Sequence, residues 1–344
     1  MNSYQRVMNT LAGAPTDRPP VFAVLGAYGA RLTGADMRTL YSDAAAYVAG
    51  QQALQKEFGF DLVLSAFDYS ALAEAFGGAV AWSANQAPNL KRPGVRNAAD
   101  VFAMALPDPN KSARLPVILE VTRRLRDLYK GQVPIVSVLP GPCSLPMLIL
   151  GIEQWMEMVL FEPETAQKLL EFTAPFYCAW AGALMDAGAD CLVVTEGMAS
   201  STILPRDTFA RQCLPHLRSI FAQISAPLVF HHSGAAIGHI LDLLPGLEHL
   251  VGVAISSQDD LSEARRLLGP EPTLIGNLDN LTLPVVSAAE VHDLAMRCLR
   301  TAAPAGRYIL CNAGADVPQA TPPENLCAMQ QAAAEFSAEM GCAQ

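Results

Sequence analysis

Side chains able to do chemistry stand directly after short apolar runs of this 344-residue chain. They are Asp68, Tyr69, Glu196, His231, His232, Ser233, Asn277, Asp279, Cys311 and Asn312. Carboxyl and imidazole groups can move protons, and imidazole and thiolate are ligands that zinc prefers. Because such chemistry needs its side chains in one place, the elements that carry them decide whether a site forms.

The apolar runs have the features of parallel strands. They cover residues 20–25, 61–66, 134–139, 190–195, 227–232, 250–255, 273–277 and 307–311. Runs such as Cys191-Leu192-Val193-Val194 are apolar at successive positions, which is typical of strands covered on both faces. Between the runs, segments 207–223 and 288–303 have the length and the apolar spacing of connecting helices.

This alternation of strands and helices predicts a (β/α)8 TIM barrel of the α/β class. We expect one domain over residues 1–344, with an N-terminal extension and a long loop near 88–109. In a barrel, a polar residue directly after a strand points into the active-site mouth. An open doubly wound sheet is the rival fold, although no G-x-G-x-x-G follows the first run to favour it.

Composition limits the partners. The formal net charge is −10 and only 16% of residues are charged, whereas a nucleic-acid surface needs clustered Lys and Arg. The apolar stretches are too short to span a bilayer and the N-terminus lacks the order of a signal peptide. We therefore expect no nucleic-acid partner, no membrane partner and a cytoplasmic location. The 8 cysteines are dispersed without a C-x-x-C pair, so we expect most to be reduced and buried.

Two carboxylates are candidates for proton transfer. Glu196 closes the run 190–195, and a charge directly after a buried strand is costly unless it is paired, solvated or bound to a ligand. Asp68 can bind a ring N–H or shift a proton, but a helix N-cap is an equally good interpretation.

The remaining candidates also have structural alternatives. His231 and Ser233 would face one ligand if the strand continues, with His232 turned outward; the alternative is a hydrogen-bonded histidine at the barrel rim. Asn277 and Asp279 can hold a heterocycle, or simply stabilise a turn. Cys311 is a candidate ligand or an inert buried thiol.

Together the segments resemble the uroporphyrinogen decarboxylase superfamily over nearly the whole chain. The matching stretches are Arg18-Pro19-Pro20-Val21, Phe58-Gly59-Phe60-Asp61, Asp68, Glu74-Ala75-Phe76-Gly77, Leu139-Pro140-Gly141-Pro142, Gly188-Ala189-Asp190, Glu196, Ser200, Leu204-Pro205, His231 to Gly234, Gly276-Asn277-Leu278-Asp279 and Pro322-Pro323-Glu324-Asn325. The resemblance implies either a porphyrinogen decarboxylase or a methyltransferase that uses a corrinoid protein. Asp68 matches the position of the decarboxylases' catalytic Asp.

The stretch after the first run favours the methyltransferase branch. Decarboxylases carry an Arg-Gln-Ala-Gly-Arg type segment there, which holds the substrate's carboxylates. Residues 25–34 of this chain contain one arginine, Arg31. A poly-carboxylate substrate would find few partners, and each unpaired buried charge is expensive.

For that branch the resemblance implies a zinc site, from which this sequence departs at two positions. The relatives use a His-x-Cys pair after the fifth strand and a Cys after the eighth, and zinc activates the acceptor thiol. His231 matches the His, but Ser233 and Ala315 stand at the two Cys positions. A Zn2+ site of His231, Cys311 and Glu196 is the substitute that the sequence allows.

The resemblance also implies the partners. A methylcorrinoid would be carried by a separate corrinoid-binding protein, because the chain has no Asp-x-His-x-x-Gly segment and no room for such a domain. The small-molecule methyl acceptor or donor would be a thiol such as coenzyme M, tetrahydrofolate, or a methoxy or methylamine compound. The alternatives are a decarboxylase of a smaller acid and a non-catalytic barrel that has lost its metal.

These considerations predict specific roles within one site. The predicted catalytic residues are Asp68, Glu196 and His231, and the predicted substrate-binding residues are Tyr69, Ser233, Asn277 and Asp279.

Overall fold

The computed structural model describes residues 1–342 of the chain. Its strands are β1 (Val63–Leu64), β2 (Ala79–Ala81), β3 (Asn89–Arg92), β4 (Ile135–Pro140), β5 (Cys191–Thr195), β6 (Leu228–His231), β7 (Leu250–Ala254), β8 (Thr273–Asp279) and β9 (Tyr308–Ala313). Its helices are α1 (Ser3–Ala12), α2 (Tyr28–Thr33), α3 (Met37–Ser42), α4 (Ala44–Phe58), α5 (Tyr69–Ala75), α6 (Ala98–Phe102), α7 (Leu115–Tyr129), α8 (Leu145–Leu150), α9 (Ile152–Phe161), α10 (Pro163–Asp186), α11 (Arg206–Thr208), α12 (Leu214–Phe221), α13 (Leu261–Leu268), α14 (Ala288–Ala302) and α15 (Pro323–Cys342).

The main sheet is parallel and curls into a barrel. Its strands follow the order β1-β4-β5-β6-β7-β8-β9, and every neighbouring pair is parallel. The first apolar run completes the ring, because Val21 forms a parallel bridge with Leu310 and its carbonyl accepts the Asp61 N–H at 2.9 Å. The predicted (β/α)8 barrel is therefore confirmed.

The first barrel position is the least regular one. The run 20–25 was expected to be a full strand, but its strand pairing is limited to the bridge at Val21. Two hydrogen bonds join Pro20 and Phe22 to Leu310 on one side, and one joins Val21 to Asp61 on the other. Pro19 and Pro20 have no backbone N–H to donate to a neighbouring strand. This position therefore needs other contacts to hold it in the ring.

Two other segments differ in detail from their predicted form. Segment 88–109, expected to be a long loop, contains β3, which pairs antiparallel with β2, and the short helix α6. Segment 207–223 is not one continuous helix, since a π-helical turn at Phe209–Cys213 separates α11 from α12. Pro215 in the first turn of α12 lacks the N–H that a continuous α-helix would use.

The N-terminal extension closes the bottom of the barrel. Helix α1 places Val7 and Leu11 against Ile309 of β9, and Met8 packs on the same cluster. The extension is therefore the floor of the barrel interior.

A buried carboxylate joins this floor to the ring. Asp61, fully buried, accepts hydrogen bonds from Arg6 Nη1 at 2.7 Å, Arg18 Nη1 at 2.7 Å and Ser3 Oγ at 2.9 Å. It also accepts the Val21 N–H at 2.8 Å and a second hydrogen bond from Arg18, through Nη2, at 3.1 Å. One side chain thus connects α1, the first barrel position and the segment that enters β1.

Two further expectations concern thiols and membranes. The cysteines at 143, 178, 191, 213, 298, 311 and 327 are free thiols, and Cys143, Cys191, Cys213 and Cys311 are buried. The side chain of Cys342 lies outside the described part of the chain. None of the helices found in residues 1–342 has the length and apolar character needed to cross a bilayer.

Replacing Asp61 should destabilise the fold strongly. Asp61→Asn removes the buried charge that pairs with Arg6 and Arg18, and Arg6 keeps only its half-exposed partner Asp17. The free energy of unfolding should therefore fall by about 3 kcal/mol in urea titrations. The control is Asp242→Asn, which breaks the exposed Arg206–Asp242 pair and should cost less than about 1 kcal/mol. Equal losses in the two variants would contradict the role given to Asp61.

Candidate active site

A cavity of about 160 Å³ occupies the barrel interior. Its floor is formed by Val7, Met8 and Leu11 of α1, and alternate residues of the parallel strands form its walls. The residues around its upper end are Tyr69, Thr195, His231, Ser233, Cys311, Asn312, Gly314 and Ala315. The cavity therefore opens at the carboxyl ends of the strands, where active sites of this fold lie.

His231 and Ser233 both line this opening, as the sequence predicts. His232 does not turn outward as expected. It is buried, and its ring stacks on that of His231 with centroids 4.5 Å apart. The strand ends at His231 and Ser233 has a φ of 54°, so the alternation of a continuing strand does not apply beyond this point.

The hydrogen bond between Ser233 and His231 sets the position of the imidazole proton. The Ser233 N–H donates to His231 Nδ1 at 2.9 Å. Burial lowers the pKa of His231 to about 4, so the ring is neutral at pH 7. With Nδ1 acting as acceptor, the single proton lies on Nε2. His231 therefore carries its N–H on Nε2, and a hydrogen bond with the Gly314 backbone partly opposes the lowering of its pKa.

Cys311 lies at the same opening as a neutral thiol. Burial raises the pKa of Cys311 to about 12, which keeps the proton on sulfur. Its neighbour Asn312 accepts the Val24 N–H at 2.8 Å and donates to the Ala315 carbonyl at 3.1 Å. The strand-end thiol matches the inert alternative, and the amide is used in holding the loops.

Glu196 is fully buried but does not line the cavity. It caps the 3-10 turn Gly197–Ala199, accepting the N–H groups of Cys143 at 3.0 Å and Met198 at 3.1 Å and the hydroxyl of Ser144. Burial raises its pKa to about 7, against the effect of these hydrogen bonds. Its observed contacts connect the end of β4 to the end of β5, and a catalytic role stays a prediction.

Asp68 is the N-cap of α5 and also a member of an ion pair. It accepts the N–H groups of Ser70 at 2.9 Å and Ala71 at 3.3 Å, and Arg114 binds its second oxygen. Burial raises its pKa, while the Arg114 charge opposes this. Arg114 also holds Glu74 at 2.9 Å. The N-cap interpretation thus describes its contacts, and a role in catalysis stays a prediction.

Tyr69, next along the chain, does face the cavity. Its hydroxyl hydrogen-bonds the Thr195 hydroxyl at the end of β5. Burial raises the pKa of Tyr69 well above its usual value, so this phenol keeps its proton. The pair connects two strand ends across the opening.

Asn277 and Asp279 are engaged with the backbone and do not line the cavity. Asn277 Nδ2 donates to the Ser256 and Asp259 carbonyls, both at 2.9 Å, and so holds the loop after β7. Asp279 accepts the Leu281 N–H at 2.9 Å, as in the turn alternative. Substrate binding by these two residues stays a prediction.

Sequence reasoning missed the acidic residue beyond β9. Asp316 accepts the N–H groups of Gly26 at 2.8 Å and Ala27 at 2.6 Å, and burial raises its pKa to about 7. It follows Cys311 by 5 positions in the sequence, so extending the strand-end search by one turn would have found it. No local signal marks Arg114 as the partner of Asp68.

The residues at the opening do not fit a zinc ion. Within the described residues, no three His, Cys, Asp or Glu side chains come together in a way that could hold a metal. Glu196 is turned to its capping contacts, so the predicted trio of His231, Cys311 and Glu196 is not assembled. A histidine that ligates through Nε2 needs its proton on Nδ1, but here Nδ1 meets the Ser233 N–H.

The raised pKa of Glu196 predicts that the stability of the fold depends on pH. A carboxyl group with a pKa of about 7 in the folded state and its ordinary value when unfolded penalises folding as pH rises through this window. The free energy of unfolding of the wild type, minus that of Glu196→Gln, should fall by about 3 kcal/mol between pH 4.5 and about pH 8. Urea titrations across this range measure the difference.

The matched control is Glu248→Gln, because Glu248 is an exposed glutamate. Such a surface substitution should stay within about 0.5 kcal/mol of the wild type throughout the pH range. A difference for Glu196→Gln that does not change with pH would contradict the assignment of a raised pKa to Glu196.

The relatives of this chain include proteins named as methyltransferases and proteins named as uroporphyrinogen decarboxylases. A methylated-thiol–coenzyme M methyltransferase of Methanosarcina mazei is 27% identical over 281 residues, covering 80% of this chain and 73% of that protein. A methylcobamide:CoM methyltransferase MtbA of Methanosarcina acetivorans is 26% identical, covering 81% and 83%. A uroporphyrinogen decarboxylase of Alkalilimnicola ehrlichii is 24% identical, covering 96% and 94%.

Solved structures and family models agree on the fold. A methyltransferase from Methanosarcina mazei superposes with a TM-score of 0.88 at 21% identity, covering 98% of this chain and 99% of that one. The model of the family described as Uroporphyrinogen decarboxylase (URO-D) matches residues 2–336. The chain therefore belongs to the uroporphyrinogen decarboxylase family.

Proposed function

We propose that this chain is a corrinoid-dependent methyltransferase, which moves a methyl group between a methylcorrinoid protein and a small acceptor or donor. The observation that carries the proposal is the character of the cavity: of the residues in 1–342 that line it, none carries a charged side chain at pH 7. A porphyrinogen with several carboxylates needs cationic partners, because unpaired buried charges are costly. An apolar chamber suits the uncharged body of a methyl-bearing substrate instead.

The relatives support the same choice. Two proteins at 26% and 27% identity are named as methyltransferases that involve coenzyme M, and one of them as acting with a methylcobamide. By analogy we assign the methylcorrinoid to a separate corrinoid-binding protein that docks over the barrel mouth. Free thiols at all seven described cysteines suit a cytoplasmic enzyme.

Within this proposal the chain's own residues orient the reacting atom and exclude water. A methyl group is transferred without an electron pair. The atom that loses it keeps both electrons of the broken bond, and the atom that receives it supplies both electrons of the new bond. His231, neutral with its proton on Nε2, and the Ser233 hydroxyl can donate hydrogen bonds to that atom. The apolar walls keep out water, which would compete for the methyl group. Since the residues do not fit zinc, no metal takes part in this scheme.

The decarboxylase alternative gains less from the geometry. Asp68 matches the decarboxylases' catalytic position, but its oxygens are held by Arg114 and by the first turn of α5, away from the cavity. A non-catalytic barrel is the outcome that would follow if no methyl transfer were found.

The test is methyl transfer in either direction. Purified protein is mixed with methylcobalamin and a thiol acceptor, or with reduced cobalamin and a methyl donor, and the cobalt absorbance is followed. His231→Ala should lower kcat/KM at least about tenfold, because it removes a hydrogen bond made at the reacting atom.

His292→Ala is the matched control, since His292 lies on α14 and contacts Glu335 at 3.1 Å, away from the cavity. It should keep wild-type activity, and circular dichroism checks that both variants are folded. Absence of turnover with every acceptor and donor, or equal activity of the two variants, would contradict the proposal.

A further inference from the structure

We propose that the cavity binds the apolar body of an uncharged substrate, about one benzene ring in size, with its methyl-bearing oxygen or sulfur at the opening beside His231 and Ser233. The methyl chemistry in this statement rests on the proposed function. The size, polarity and orientation of the ligand rest on the cavity itself.

The interior of the barrel is not fully packed with side chains. Val24, Val138, Val193 and Ile275 point into the barrel and remain partly exposed, whereas the centre of a TIM barrel is normally filled by layers of such side chains. The resulting cavity measures about 160 Å³. An apolar cavity of about 150 Å³ stays dry and binds benzene. One six-membered ring therefore matches the volume.

The polar groups at the opening allow one polar atom in the ligand. Tyr69 and Thr195 hydrogen-bond each other. Asn312 has both ends of its amide occupied, by the Val24 N–H and the Ala315 carbonyl. This leaves the His231 ring and the Ser233 hydroxyl on one side of the opening. A ligand with an apolar body and a single heteroatom at its end fits that distribution.

Charged substrates find no partner here. A sulfonate, carboxylate or ammonium group would enter a space whose lining contains only neutral side chains, at a high desolvation cost. Two arginines near this end of the barrel are already used: Arg31 donates to the Gln319 and Thr321 carbonyls at 2.7 Å and 2.6 Å, and Arg114 pairs with Asp68. The cavity therefore disfavours charged substrates as well as large ones.

The test measures binding without any corrinoid. Isothermal titration calorimetry compares anisole and thioanisole, which place an ether oxygen or a thioether sulfur on the same ring, with 4-methoxybenzenesulfonate. We expect at least one of the two neutral compounds to bind, and the sulfonate to bind at least tenfold more weakly than the tighter of them. Comparison of the two neutral compounds tells which heteroatom the opening prefers.

Substitutions in the cavity wall test whether the ring binds inside the barrel. Val193→Phe and Ala254→Leu each add bulk to the cavity wall, and either should weaken ring binding at least tenfold. Two variants are used because extra bulk in a core can disturb folding, which thermal melting checks. The matched control, Val285→Phe, makes the same substitution at a residue that is 78% exposed, and it should bind the ring as the wild type does.

The outcomes separate this inference from the proposed function. Equal affinity for the sulfonate, or unchanged ring binding in both folded cavity variants, would overturn the inference. Methyl transfer to a charged thiol without any ring binding would also overturn it, while leaving the methyltransferase in place. Ring binding that Val193→Phe abolishes would support the inference even if the transfer assay failed.

Discussion

Closure of the barrel at its first position is the constraint on which the other features depend. The segment around Val21 pairs with β9 through a single bridge at Leu310, and the two prolines before Val21 have no N–H to donate. The Asp61 carboxylate compensates by binding the Val21 N–H and two arginines at once. Since Arg6 lies on α1, the same carboxylate also holds the floor of the cavity in place. The contacts of Asp61 therefore support both the closure of the ring and the floor of the cavity.

At the opposite end, acidic residues hold loops by accepting backbone N–H groups. Glu196 accepts from Cys143 and Met198, Asp316 from Gly26 and Ala27, and Asp259 from Ile237 and Gly238. Each carboxylate thereby connects the end of one strand to the loop after another strand or to the turn that follows its own. Because these carboxyl groups are directed into the loops, they leave the lining of the cavity neutral. The apolar character of the site follows from how the mouth is built.

The barrel could be predicted from the sequence because its signal is local. Every one of the predicted apolar runs takes a position in the ring, and the strand-end residues His231, Ser233 and Cys311 meet at one opening. What could not be predicted is which strand-end side chains face inward. Asp68 is turned away by Arg114, and Glu196 by Cys143 and Ser144, partners that lie 46 to 53 positions away in the sequence. Such long-range pairing leaves no trace in local patterns.

Burial and the Ser233 N–H together make His231 a neutral hydrogen-bond donor instead of a zinc ligand. This state of the ring agrees with the neutral lining of the cavity. Burial lowers the pKa of the ring to about 4, so it carries no charge, and the N–H at Nδ1 leaves the proton on Nε2. A metal would need the lone pair of that nitrogen, but an ether or thioether needs its N–H. An anionic substrate would find a cation in this cavity only if the His231 ring were protonated, and burial opposes that protonation. A neutral imidazole that donates one hydrogen bond, set in a neutral chamber, therefore suits an uncharged substrate.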